Sequence, residues 1–187
     1  MNLEQWFAKG MDTDTYIESM QENKENLLHI YDHFTPPENE QLFQSLAEHN
    51  LRVIILTEDW CGDAMLNIPI LIRIAEKAGM PVKFLPRDEN LELMDQYLTN
   101  GTSRSIPKFI FINSNGNEVA VWGPRAEKIQ EFVDQSRQKL PPADHEDHKE
   151  KAKEMYRFMT KSFRDNTDFW QDVYESITSE LNRNLNV

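Results

Sequence analysis

The residue with the most chemistry to offer is Cys61, the single cysteine among 187 residues. It sits in Thr57-Glu58-Asp59-Trp60-Cys61-Gly62-Asp63-Ala64, after the apolar run Val53-Ile54-Ile55-Leu56 and before a long helical pattern. A thiol where a strand ends and a helix begins meets unpaired first-turn N–H groups and the positive end of the helix dipole. Both favour a thiolate. Asp59 and Asp63 oppose them, because nearby carboxylates disfavour another negative charge. A free cysteine titrates near about 8.5, and the balance predicts a moderately activated thiolate. Such a sulfur can attack a disulfide and form a mixed disulfide. Ala64 stands three residues on, where a dithiol site would hold its second cysteine, so release requires an external thiol.

Other candidates are weaker. His29 and His33 lie four apart on a predicted helix and could share a metal, but nothing supplies a third ligand. His145 and His148, amid Asp144, Glu146 and Asp147, read as a hydrated charged segment. We therefore expect no metal. Arg104 and Arg125 flank the segments around Pro107 and Gly123; they either receive an anionic thiol or balance surface acids.

The elements that must position Cys61 follow from periodicity. A short helix from about Leu3 to Lys9 ends at Gly10. A longer one begins at Asp12 or Thr13, with Tyr16, Ile17, Met20, Leu27, Ile30, Tyr31 and Phe34 inward; it can break over the polar stretch 21–26. Thr35-Pro36-Pro37-Glu38 reads as a third helix start, and Leu42, Phe43, Leu46 and Ala47 form its buried stripe. Leu51–Thr57 lacks alternation and predicts a strand buried on both faces. A helix over 62–78 contains Pro69, which should kink it, and stops at Gly79. A strand over 81–86 and a helix over 89–98 come next. Lys108–Asn113 and Glu118–Trp122 flank Ser114-Asn115-Gly116-Asn117 as a hairpin, and a helix follows over 125–140. This order implies a mixed α/β sheet whose first two strands are parallel through a right-handed crossover. After Pro141-Pro142 come a charged stretch and two helical segments that divide near Asn166. Their apolar face includes Phe158, Phe163, Phe169, Trp170 and Ile177.

Composition narrows the function classes. A net charge of −12 sets the surface against nucleic acid and anionic membranes. No window approaches the ~20 apolar residues of a membrane span. One cysteine and the unremarkable start Met1-Asn2-Leu3-Glu4-Gln5 point to a cytoplasmic protein.

From about Thr35 to Leu140 the chain resembles the thioredoxin superfamily. Trp60-Cys61-Gly62 is similar to the start of that family's Trp-Cys-Gly-Pro-Cys motif. Pro69 lies eight residues beyond the cysteine, like the family's kink proline. Ile106-Pro107 opens a strand where the family carries a cis-proline facing the active-site sulfur, and Gly123 resembles the glycine lining its substrate groove. The resemblance implies a three-layer thioredoxin-like fold with a mixed sheet of about four strands. It divides the chain into an N-terminal helical extension (1–34), the thioredoxin-like domain (35–140) and a C-terminal helical extension (141–187). It also implies Cys61 as the catalytic thiol, with Trp60, Gly62, Ile106, Pro107 and Gly123 contacting substrate. The departures agree with one another: Asp63 and Ala64 replace the motif's proline and resolving cysteine. Ile55 and Phe84 stand where such chains place a buried aspartate and its lysine partner, which assist resolution.

Three functions fit. The first is monothiol exchange with a disulfide-containing protein or small-thiol disulfide, with no cofactor beyond a low-molecular-weight resolving thiol. The second is a non-catalytic binding module on the same scaffold. The third is a redox sensor capped reversibly at Cys61. The C-terminal apolar face either packs on the domain or forms a homodimer.

Overall fold

Residues 2–185 are described by the computed structural model. Ahead of the sheet come α1 (Glu4–Lys9), α2 (Thr13–Ser19), α3 (Lys24–His33) and α4 (Glu40–Glu48). The sheet and its connections follow as β1 (Arg52–Thr57), α5 (Gly62–Ala78), β2 (Val82–Pro86), α6 (Leu91–Met94), β3 (Lys108–Ile112), β4 (Glu118–Trp122) and α7 (Glu127–Gln138). The long helices α8 (His148–Asp165) and α9 (Thr167–Leu185) complete the described residues.

The strands run in the order β2-β1-β3-β4, with β1 parallel to β2 and antiparallel to β3. Thus the mixed sheet and its parallel first pair are as the element order implies. Ile55 is flanked by Phe84 on β2 and Phe109 on β3, and all three side chains are fully buried. A strand covered on both faces has no use for alternating polarity, which explains the unbroken apolar run. The same register makes Ile55 and Phe84 direct neighbours, an apolar pair across the two strands.

The N-terminal helices are fastened to the sheet. Met11 exchanges two backbone hydrogen bonds of 2.9 Å with Phe84 and so covers the outer edge of β2. Arg52 binds Glu4 at 2.7 Å, and Tyr16 stacks on Phe84 with ring centroids 4.3 Å apart. Between α2 and α3 the helix does break, and Asn23 takes a left-handed conformation (φ 58°).

Two helix boundaries differ from expectation. The third helix starts at Glu40 rather than at Thr35, because consecutive prolines keep the residues before them extended. Asn39 then supplies the cap, accepting from the Leu42 N–H at 3.1 Å. The helix expected over 89–98 is only α6. Its continuation turns, the Tyr97 hydroxyl donates to Glu118 at 2.7 Å, and Asn100 and Gly101 take positive φ.

The C-terminal helices pack within the chain. Phe163 and Phe169 close on Phe132 of α7, with centroids 6.0 and 4.9 Å away, and α9 lies along α5 and β4. The Trp122 indole donates to Ser176 at 2.9 Å, tying β4 to α9. Tyr156 and Phe158 remain exposed on α8. Among the described residues no helix is long and apolar enough to cross a membrane. Phe163→Ala should lower global stability by about 3–5 kcal/mol, read from urea unfolding as one shifted transition. A separate early transition would instead mean that the terminal helices unfold on their own.

Candidate functional site

Cys61 occupies the N-cap position of α5, immediately after the loop that leaves β1. Its Sγ donates to the Ile106 carbonyl at 3.5 Å, and the Ile106–Pro107 peptide bond is cis. Two segments 45 residues apart in sequence thus meet at the sulfur. The preceding loop is held from behind. The Asp59 carboxylate accepts the Gln21 N–H at 2.7 Å and the Glu22 N–H at 3.2 Å, and the Asn23 amide donates to the Asp59 carbonyl at 2.9 Å. Asp59 is therefore committed to the break between α2 and α3.

Gly123 joins the site by backbone approach. Its φ is +119°, and a Cβ there would sit 2.2 Å from the Pro107 carbonyl oxygen. No side chain fits. Two buried polar groups set that loop. Lys108 Nζ donates to the Gly123 carbonyl and Asn67 Nδ2 to the Pro124 carbonyl, each at 2.9 Å. The Gly123–Pro124 bond between the two held residues is also cis. Burial pushes the Lys108 amine below its usual range. Neither residue entered the sequence reading. A lone asparagine inside Leu66-Asn67-Ile68, and a lysine heading the strand Lys108-Phe109-Ile110, were the available signals.

Just past this loop, Arg125 grips Asp63. Nε meets Oδ1 and Nη2 meets Oδ2, both at 2.7 Å, and Nη1 donates to Gln130 at 2.8 Å. All three of its nitrogens are engaged, by Asp63 and Gln130. Arg104 pairs with Asp95 at 2.6 Å. Asp63 and Arg125 are both largely buried. Burial pushes the Asp63 carboxyl up against the pull of the guanidinium.

The thiol itself departs from expectation. Cys61 is 8% exposed, and burial, then the Asp63 carboxylate, push it up to about 11. The N–H groups of Ala64 and Asp63 and the Arg125 charge pull the other way and lose. The helix terminus acts as foreseen, but desolvation outweighs it. Trp60 stands half exposed beside the thiol, with the Arg87 guanidinium 5.1 Å from its ring centre. A Cβ on Gly62 would meet nothing within 4 Å, which leaves open ground in front of the helix start. The site residues foreseen at positions 60, 61, 62, 106, 107 and 123 thus lie around one point. His29 and His33 stack on each other at 4.3 Å, and no group of three metal-ligating side chains occurs among the described residues.

Two outcomes follow from this geometry. Below about pH 11 the protonated thiol dominates, so iodoacetamide should alkylate Cys61 at pH 8 at least about tenfold more slowly than free cysteine. The rate should climb through pH 10, as followed by intact mass. Gly123→Ala should cost more than about 2 kcal/mol, measured by denaturant unfolding, because the Pro107 carbonyl must move.

Comparison with solved structures supports the same architecture across nearly the whole chain. A protein of unknown function from Pseudomonas aeruginosa aligns at 13% identity, covering 92% of this chain and 97% of its own, with a TM-score of 0.59. An HIV epitope-scaffold aligns at 12% identity over 92% of this chain and 98% of its own, with a TM-score of 0.57. No curated protein sequence matches. The family model described as thioredoxin matches residues 10–139, a span that takes in α2 through α7, Cys61 and the loops that face it. On that match the chain belongs to the thioredoxin family.

Proposed function

We propose that the protein carries out thiol–disulfide exchange through Cys61 alone, with an external low-molecular-weight thiol completing each cycle. The observation that carries the reading is the sulfur at the start of α5, 3.5 Å from the Ile106 carbonyl and beside Pro107. Cys61 S–H first loses its proton to solvent. The thiolate attacks one sulfur of a disulfide R–S–S–R′, forming Cys61–S–S–R and releasing R′–S⁻, which takes up a proton. A second thiolate, R″–S⁻, then attacks the mixed disulfide, frees the Cys61 thiolate and leaves as R–S–S–R″. Electrons balance without a cofactor. An extended substrate segment would pair with the backbone beside Pro107 and take over the Ile106 carbonyl now held by the thiol. Trp60 and the open ground at Gly62 would receive it. A reducing compartment such as the cytoplasm would supply the resolving thiol.

Incubation with a small-molecule disulfide at pH 8 should add one half-disulfide to Cys61 by intact mass. Reduced glutathione should then remove it. If the adduct never forms over hours in folded protein, exchange is not the function.

The buried, protonated thiol favours a second reading, in which the scaffold binds a partner and Cys61 is a small core residue. Under that reading Cys61→Ser leaves partner binding intact. Under the first reading it abolishes the adduct and every turnover that depends on it.

A further inference from the structure

We propose that Arg125 is the counter-charge for the Cys61 thiolate and that Asp63, the positioning residue that holds the guanidinium at the start of α5, offsets that charge in the resting protein. The proposal rests on the exchange reading above and concerns how that site is controlled.

Asp63 stands in the first turn of α5, two residues after the thiol. It takes both arms of one guanidinium at 2.7 Å. A bidentate pair in a largely buried place is strong and directional, since the surrounding medium screens it little. Arg125 reaches the site because Lys108 and Asn67 hold the Gly123 and Pro124 carbonyls just before it. Gln130 fixes the third arm, and Asp134 in turn accepts from Gln130 at 2.9 Å. The guanidinium is thus fixed beside the helix start, with the Asp63 carboxylate bound to it. Asp63 is two residues from Cys61 and Arg125 is bound to Asp63, so the two opposite charges bear oppositely on a negative charge at the sulfur.

Among the other charged and titratable groups around the site, Arg87 pairs with Asp88 at 2.8 Å and lies over the Trp60 ring. Asp59 faces the Gln21 and Glu22 amides. Glu58 accepts from the Asp88 N–H, and Lys108 is turned to the Gly123 carbonyl. The Tyr16 hydroxyl lies 3.4 Å from Thr57 Oγ1, and its titration, pushed up to about 12 by burial, keeps it neutral. On α7, Arg137 bears on Asp63 and Asp134 on Arg125. The Asp63–Arg125 pair is therefore the adjustable element.

The test is the pH profile of Cys61 alkylation, read by intact mass on the full chain from pH 6 to 11. Asp63→Asn keeps the shape and a hydrogen bond to Arg125 while removing the negative charge. Its profile should move down by one unit or more, about a tenfold faster reaction at any pH below the midpoint. Asp63→Ser, which also suits a helix start, should move it the same way and serves if the first variant folds poorly. Adding Arg125→Met to either variant should return the profile toward that of the parent chain. A residue pair with a purely structural role would lower thermal stability and leave the profile in place. Coincident profiles for the parent and both Asp63 variants overturn the proposal, as does a double variant indistinguishable from its Asp63 single. Because the readout is alkylation rather than exchange, it can succeed or fail independently of the mixed-disulfide experiment.

Discussion

The site depends on one close approach: the Gly123 backbone against the Pro107 carbonyl, at a distance that excludes any Cβ. That contact joins the start of β3 to the end of β4. It places the Ile106 carbonyl before Cys61 and sends the chain on so that Arg125 meets Asp63. The Lys108 and Asn67 side chains keep it in register by satisfying the two carbonyls on either side of the turn. Buried carbonyls are costly unless paired, and the Lys108 amine and the Asn67 Nδ2 supply the partners here. This cluster is small, and it determines where three of the site's segments go.

The electrostatics of the thiol show two opposed rules acting at one atom. A helix N-terminus favours a thiolate, and the Ala64 and Asp63 N–H groups do pull that way. Burial under the Ile106 carbonyl disfavours any charge, and the neighbouring carboxylate adds to it. The second influence wins in the resting protein. A thiol kept protonated resists adventitious oxidation.

Much of the architecture was legible because hydrophobic periodicity reports burial. The unbroken Val53–Leu56 run, the hairpin turn at 114–117 and the stop at Gly79 all correspond to observed elements. Misjudged boundaries arose where a local pattern competed with a better cap or with a tertiary contact. Pro36-Pro37 looked like a helix start, yet Asn39 offered the better cap. The 89–98 pattern looked helical, but Tyr97 gains more from reaching Glu118. The C-terminal helices were recognisable as apolar, whereas their docking on Phe132 and Trp122 was not, since a stripe does not name what it covers.

By itself the sequence determined the inventory: one thiol at a strand–helix junction, no second cysteine, Pro107 and Gly123 at the two ends of a hairpin, and apolar residues at positions 55 and 84. Those facts depend only on residue identity and order. Tertiary structure decided the thiol's state and its neighbours. Desolvation is set by how many atoms from distant segments crowd the sulfur, and no local pattern counts them. The Asp63–Arg125 pair is likewise a contact across 62 residues, made by a turn whose geometry two buried side chains enforce. The half-built motif at Cys61 therefore became an enclosed, protonated thiol with a buried ion pair beside it only when the chain folded.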